Sequence, residues 1–353
     1  MNSPAHADAA LEGLRASRIR GVFCYGLYAN PIFANRDVSK GTALVTDNEK
    51  WRLEDSARIR REKFPSNNAD QLLRFGFAPT EVERVPIEQS IDEIQHGRSL
   101  GAAIVTAHVG LAKYDIGNYV VRTLAERNLL GSDLVFSHGS SLAEDELQAI
   151  KRSGASLSST PDTDLQMGMG FPIAFAAEAH GCTASIGIDI TSNNPADMFG
   201  QIRLLLQSQR FSKLGMSPPP PIKIPATCAD VLRMATIGGA KAMGLSHITG
   251  SITPGKRADL VLTRCDSLRM TPVHDPVAAL VLYANASDVD SVFVDGVPVK
   301  RNGKILPAAG EEDLTWPALR ERLRKSASGI MERSNFVAAE GNEESIREYY
   351  KLS

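Results

Sequence analysis

Long apolar runs are missing from this sequence of 353 residues. A membrane-spanning helix needs about 18 to 20 consecutive apolar residues, and no segment approaches that length. The N-terminus also lacks the basic and then apolar order of a secretory leader, so we expect a cytoplasmic protein with no membrane partner. The hydrophobic fraction of 43% is still that of a chain able to bury a large core.

The sequence also lacks an excess of charge of either sign. Lys and Arg number 39 against 41 Asp and Glu, which gives a formal net charge of -2. Nucleic-acid binding requires a basic face, and the sequence has no long block of one sign, so nucleic acid is not expected as a partner. The expected partner is a small-molecule substrate.

Cysteine is scarce, with 4 residues in the chain. They are far apart and form no Cys-x-x-Cys pair, which indicates neither a zinc knuckle nor a disulfide framework. We expect reduced and mostly buried thiols at Cys24, Cys182, Cys228 and Cys265.

What the sequence does contain is a regular alternation of short apolar runs with longer segments of helical periodicity. This alternation is typical of repeated βα units around a parallel sheet. The apolar runs predict strands at Arg20–Tyr25, Leu73–Ala78, Ala103–His108, Leu134–His138, Ala155–Ser158 and Ala184–Asp189. Helices are predicted at Ile87–Leu100, Ile116–Asn128, Glu144–Ser153, Ile173–His180, Pro195–Arg210 and Cys228–Met243. Ser141 and Glu144 have the spacing of a capping box.

Six βα units are two fewer than a closed eight-stranded barrel needs, and exposed edges of a parallel sheet favour unwanted pairing. We therefore expect a second copy of the chain to cover these edges in a homodimer. Further along, Ser251–Arg264 predicts a turn followed by a strand, and Val292–Lys304 predicts a hairpin that turns at Asp295 and Gly296. The expected domains are a partial barrel (1–248), a small β-sandwich segment (249–310) and peripheral C-terminal helices (311–353).

Several segments resemble the amidohydrolase superfamily, and within it the cytosine deaminase and triazine hydrolase branch. ITGSITPGKRADLVL and SVFVDGVPVKRNGK resemble the return from the barrel to a small β-sandwich and its closing hairpin. TAHV resembles the end of barrel strand five, FSHGSSLAEDEL resembles strand six, and GIDITSNNPADMF resembles strand eight. The resemblance implies a (β/α)8-type TIM barrel, represented in this sequence by strands three to eight.

The His-x-His motif that ends barrel strand one in that family is absent from the sequence. In the family, those histidines join a strand-five histidine and a strand-eight aspartate around one zinc or iron ion. By resemblance, His108 and Asp189 would be metal ligands. His138 would orient the attacking water, and Asp189 would accept its proton. One divalent zinc or iron ion is the expected cofactor, and the lack of His-x-His leaves open that it is absent.

Two further features bear on the substrate. Gln166, Ser192 and Asn193 lie in loops after strands seven and eight, so we expect them to contact it. By resemblance, deaminases of this branch carry Glu three residues after the strand-five histidine, where this sequence has Leu111. Plain purine or pyrimidine deamination is therefore disfavoured.

Three functional hypotheses remain open. The first is metal-dependent hydrolysis of a C–N bond, in an amide or cyclic amidine or a related bond of a small molecule, with a metal-bound water activated by Asp189 and His138. The second is a shortened, metal-independent relative that acts as a lyase, decarboxylase, isomerase or cyclase through His and Asp acid–base catalysis. The third is a non-catalytic barrel that serves oligomerisation or binding.

Overall fold

Parallel and antiparallel strands lie in separate sheets in the computed structural model, which describes residues 1, 3–27, 32–33, 44–45, 50–83, 85–115, 117, 119–215, 219, 221–308 and 315–334. The strands are β1 Gly21–Gly26, β2 Ile32–Phe33, β3 Leu44–Val45, β4 Leu73–Ala78, β5 Val105–Val109, β6 Leu134–His138, β7 Ser156–Ser159, β8 Thr183–Ile186, β9 Leu260–Thr263, β10 Val289–Val294, β11 Val297–Arg301 and β12 Lys304–Ile305. The helices are α1 Pro4–Ser17, α2 Lys50–Lys63, α3 Ile87–Ser99, α4 Val120–Glu126, α5 Glu144–Ser153, α6 Pro161–Gln166, α7 Ala174–Ala179, α8 Met198–Leu214, α9 Cys228–Arg233, α10 Gly239–Ala242, α11 Pro276–Leu282 and α12 Trp316–Ser334.

The six predicted strands form one parallel sheet in the order β1-β4-β5-β6-β7-β8. In the β5–β6 register, His108 lies opposite Ser137 and Val109 lies opposite His138. The carboxyl ends of these two strands are therefore side by side, at the edge of the sheet where α/β proteins assemble their sites. The prediction of an α/β fold with a parallel sheet is confirmed.

The last strand of this sheet is shorter than the sequence predicted. We predicted one strand over Ala184–Asp189, but β8 ends at Ile186, and Asp189 lies in the following loop. The amide of Gly187 makes the last bond to the neighbouring strand, to the carbonyl of Ser159 at 2.8 Å. Asp189 itself has a φ of 70°, which the extended conformation of a strand excludes.

Two helix starts also differ from the prediction. The capping box predicted at Ser141 and Glu144 was wrong, because α5 is capped two residues further along the chain. There the carboxylate of Glu146 accepts a hydrogen bond from the Ala143 amide at 3.0 Å. The Ser141 hydroxyl instead donates to Asp115 at 2.8 Å. The helix predicted from Pro195 begins at Met198, because the Asp197 side chain caps it by accepting from the Phe199 amide.

The hydrophobic core combines aromatic and branched side chains of the parallel sheet with those of the surrounding helices. Tyr25, Phe75, Phe77, Phe136 and Leu157 are all fully buried. Each large aromatic side chain removes roughly 150 to 250 Å² from water. Leu11, Ile59 and Leu124, from the surrounding helices, belong to the same core.

A second, smaller sheet has four antiparallel strands in the order β12-β11-β10-β9. The predicted hairpin between β10 and β11 is confirmed. Asp295 and Gly296 at its turn have φ values of 54° and 79°, as a two-residue type I′ turn requires. The sequence-based division into three domains, and the sandwich expected around this sheet, stay predictions.

The two edges of the parallel sheet differ. The predicted single helix over Cys228–Met243 is broken by a π-helical turn, Met234–Gly238, and this turn packs against β8. Beside β1, the described residues supply no strand partner other than β4. The predicted homodimer stays a prediction. No helix within the described part of the chain is long and apolar enough to cross a membrane.

Candidate active site

His138 ends β6 in a conformation that few residues other than glycine adopt. Its φ is 69°, in the left-handed region, and its side chain is 5% exposed. Gly139 follows with a φ of 86° and donates its amide to the Val109 carbonyl at 2.8 Å. Backbone strain of this kind concentrates at functional sites, where surrounding contacts hold the residue in place.

A buried network fixes the imidazole of His138. Its Nδ1 lies 3.0 Å from Oδ1 of Asp164 and 2.7 Å from the hydroxyl of Thr160. Because the Thr160 hydroxyl donates to Asp164 at 3.0 Å, its oxygen is free to accept from the ring. Both partners therefore favour a proton on Nδ1, which leaves Nε2 of the neutral ring as an acceptor.

The imidazole of His108, on the neighbouring strand β5, has a carboxylate of its own. Its Nδ1 lies 2.8 Å from Oε2 of Glu81, in the loop after β4. The rings of His108 and His138 are 5.2 Å apart between centroids and tilted by 58°. The structure thus brings together the two histidines that the sequence placed at strand ends.

The charges around His108 favour its protonated form. Desolvation by the surrounding protein lowers the pKa of His108, but the hydrogen bond and charge of Glu81, together with the charge of Asp189, outweigh it and leave the pKa raised. Asp189 is exposed and has left-handed backbone geometry just beyond β8. It therefore acts on His108 through its charge, from the loop after β8.

The three residues expected to contact substrate have different surroundings. Gln166 donates to the carbonyl of Asn193 at 3.0 Å and to Oδ1 of Asn194 at 2.8 Å. Asn193 donates to the Thr163 hydroxyl at 3.2 Å. Gln166 is the last residue of α6, so the prediction that it lies in a loop was wrong. The bonds tie α6 to the loop after β8, in which Ser192 is exposed.

A cavity of about 440 Å³ lies elsewhere, between the ends of α1 and α2 and the start of β4. It is lined by Arg15, Arg18, Phe64 and Leu72, among others. Because it opens at the amino end of β4, it lies away from the strand ends that carry the histidines. The position of this cavity argues against a role in the chemistry of His108 and His138.

A model of the amidohydrolase family matches residues 102–299, more than half of the chain. The chain belongs to the amidohydrolase family. The match includes β5 to β8, which carry His108 and His138, and extends into the small antiparallel sheet.

Named relatives agree with this membership. The chain is 28% identical over 278 residues to 5-methylthioadenosine/S-adenosylhomocysteine deaminase of Pyrococcus horikoshii, covering 75% of this chain and 63% of that protein. An adenosine deaminase from Xanthomonas campestris, solved with bound zinc, superposes with a TM-score of 0.74 at 22% identity, covering 92% of this chain and 69% of that one. A triazine hydrolase from Arthrobacter aurescens superposes with a TM-score of 0.71 at 18% identity, covering 88% and 67%. The chain thus spans about two thirds of the length of these proteins.

The metal that the amidohydrolase resemblance implies does not fit the donor set in the described part of the chain. Among those residues, no three His, Cys, Asp or Glu side chains form a group that would hold a metal ion. The carboxylates of Glu81 and Asp164 bond the Nδ1 atoms of His108 and His138, an arrangement that does not itself prevent metal binding through Nε2. His108 and Asp189, the predicted ligands, are two donors, whereas a catalytic zinc site has three protein ligands.

Two carboxylates of this site were missed in the sequence. Asp164 lies 26 residues from His138 along the chain, and Glu81 lies 27 residues from His108. No local spacing marks either pair. Their position was a weak indication of a role in the site. Glu81 and Asp164 each follow a predicted strand within a few residues, at the edge of the sheet where the strand ends meet.

Proposed function

We propose that this amidohydrolase hydrolyses a C–N bond of a small nucleoside-like molecule, in an amide or cyclic amidine group. One observation carries the proposal: two adjacent imidazoles at carboxyl strand ends, each with Nδ1 bonded to a carboxylate. The relative from Pyrococcus horikoshii is named as a deaminase of adenosine derivatives, which supports the substrate class.

The residues suggest the following division of work. Water bonds to the carbon of the C–N group, and its proton passes to Nε2 of His138, the general base, while the carboxylate of Asp189 orients the water. The departing nitrogen takes a proton from Nε2 of protonated His108, so that the C–N bond breaks and an amine or ammonia leaves. Leu111 has no proton to give, which disfavoured purine deamination in the sequence. Assigning the proton-donor role to His108 restores that reaction. Gln166, at the end of α6, and Ser192 and Asn193, in the loop after β8, are the proposed substrate contacts.

His138→Gln tests the proposal. We expect the purified chain to release ammonia from 5-methylthioadenosine, S-adenosylhomocysteine or adenosine. The variant should lose about 100-fold or more of kcat, the usual contribution of a general base. His247→Gln, at an exposed histidine outside the site, is the matched control and should keep full activity. Turnover of none of the three compounds by the wild type, or full activity in His138→Gln, would contradict the proposal.

The zinc or iron requirement implied by the resemblance is tested in the same preparation. One metal ion per chain, with activity that a chelator abolishes and zinc restores, would favour the metal-dependent route over the acid–base route described above. Full activity in chelator, with no metal found by mass spectrometry, would favour the acid–base route. The alternative of a lyase or isomerase predicts conversion of substrate without incorporation of oxygen from water, which labelling with H₂¹⁸O detects.

A further inference from the structure

Glu81 is a largely buried carboxylate that contacts a histidine of the site. Its side chain is 10% exposed, and Oε2 lies 2.8 Å from Nδ1 of His108. The other oxygen, Oε1, is buried and has no hydrogen-bond partner among the residues that the structure describes. A buried carboxylate oxygen left unpaired lowers stability, so Glu81 is poorly placed for stability alone.

The loop that carries Glu81 is firmly held. The carboxylate of Glu93, on α3, accepts from the Thr80 amide at 2.6 Å and from the Thr80 hydroxyl at 3.1 Å. On the other side of Glu81, Val82 is fully buried. These anchors fix the backbone on both sides of Glu81, so its contact with His108 belongs to the fold and does not depend on a flexible side chain alone.

The contact decides which nitrogen of His108 carries the proton. A carboxylate oxygen only accepts hydrogen bonds, so a bond of 2.8 Å to Nδ1 requires the proton on that atom. Nε2 is then the nitrogen left to exchange a proton with a bound molecule. Asp164 acts on His138 in the same way, through Nδ1 at 3.0 Å.

We propose that Glu81 is a positioning residue of the site: it holds the proton on Nδ1 of His108 and thereby directs proton exchange with substrate through Nε2. This inference rests on the proposed function for its consequence in catalysis. Its structural part, the tautomer of His108, is independent of any substrate. The two parts are therefore tested separately.

The first test is ¹⁵N NMR of the histidine rings, with His108 assigned by comparison with His108→Gln. We expect neutral His108 to be a single Nδ1–H tautomer in the wild type and a mixture of both tautomers in Glu81→Ala. Glu81→Gln keeps the side-chain volume and a carbonyl acceptor, so it should retain the Nδ1–H form. Glu12→Ala, at an exposed glutamate on α1, is the control and should match the wild type. A His108 tautomer unchanged in Glu81→Ala would overturn the proposal.

The second test is kinetic. Removing a residue that orients a site histidine typically costs about 10- to 100-fold in activity. Glu81→Ala should show this loss in kcat with KM within about twofold, and Glu81→Gln should recover most of it. A merely structural role predicts equal damage in both variants and is excluded by the recovery. A mixed tautomer with full kcat would overturn the catalytic part. An inactive wild type would refute the proposed function, while the NMR result would still decide the part of Glu81.

Discussion

Glu83, two residues after Glu81, is a carboxyl group whose ionisation the fold opposes. It is 4% exposed. Burial raises its pKa most, and the charges of Asp115 and Glu81 add to the rise. The hydrogen bond from the Gly110 amide opposes it, and the resulting pKa is about 8. Glu83 therefore keeps its proton near neutral pH and is not a ready base for the site.

This raised pKa predicts a stability that depends on pH. The pKa of Glu83 rises from 4.5 to about 8 on folding, so its contribution is complete below 4.5 and is lost as the pH rises towards 8. Glu83→Gln cannot ionise and should be more stable than the wild type at pH 8, with little difference at pH 4. Each pKa unit corresponds to about 1.4 kcal/mol in the free energy of unfolding.

Urea unfolding at both pH values measures the effect. Glu12→Gln, at an exposed position, controls for removal of one negative charge and should leave the difference between the two pH values unchanged. A gain for Glu83→Gln that is equal at pH 4 and pH 8 would show that packing, and not ionisation, is responsible.

Single residues also show how far the sequence could lead to the site. His108 and His138 were singled out because each ends a predicted strand, and their roles came from the resemblance. Glu81 and Asp164 were not recognised, because their contacts depend on which loops the sheet brings together. Asp189 was found by resemblance, but its backbone geometry and its place beyond β8 appear only in the structure.

Among the elements, β8 depends on its contact with the π-helical turn. A Cβ atom built on Gly238 would lie 2.5 Å from the carbonyl oxygen of Ala184, a distance that real Cβ atoms essentially never show. The helix approaches the strand this closely only because Gly238 has no side chain. Gly239, the next residue, has nothing within 4 Å of its Cβ position.

This difference gives a matched pair of substitutions. Gly238→Ala should lower the free energy of unfolding by about 1 to 3 kcal/mol, the usual cost of overpacking, since the strand or the helix must move. Gly239→Ala should be neutral, or stabilising by up to about 1 kcal/mol, because alanine is the better helix former. Chemical denaturation of both variants compares them directly. Equal effects at the two glycines would mean that the helix does not rest on β8 as described.

The elements were predicted unevenly from the sequence, for physical reasons. β4, β6 and α5 have the predicted bounds, because apolar periodicity and flanking polar residues mark both ends. The sequence predicted an unbroken helix over Cys228–Met243 and did not predict the π-helical turn within it. In that turn Gly238 lies against Ala184 of β8, a residue about 50 positions earlier in the sequence. The hydrophobic periodicity of a segment does not reveal a contact with a residue so distant in the sequence.

At the scale of the whole molecule, Arg20 links the parallel sheet to the antiparallel one. It lies just before β1, and its side chain is 6% exposed. Its guanidinium bonds Asp259, just before β9, at 2.5 Å and lies 3.4 Å from Asp295 in the β10–β11 turn. Although desolvation raises the pKa of Asp259, the hydrogen bond from Arg20 and the Asp295 amide outweigh it and leave the pKa lowered.

Breaking this link should weaken the whole molecule. Arg20→Met keeps the apolar stem of the side chain but leaves the carboxylate of Asp259 partly buried without its cation. Loss of one partner from a fully buried pair costs about 3 to 5 kcal/mol, and because the Asp259 side chain is 19% exposed we expect the lower end of that range or less. Arg301→Met, at an exposed arginine of β11, should have little effect on the free energy of unfolding.

A double-mutant cycle with Asp259→Asn separates the pair from its surroundings. If the ion pair is responsible, the double variant should lose less stability than the sum of the losses in the two single variants. The reason is that Asp259→Asn removes the carboxylate that Arg20→Met leaves without a cation. The lowered pKa of Asp259 adds a check on pH. Its contribution is present above the unfolded pKa of about 3.8 and is lost as the pH falls through the folded value, so the penalty of Arg20→Met should shrink in acid. Additive losses of stability, or a penalty for Arg20→Met that does not change with pH, would show that packing and not the ion pair stabilises this contact.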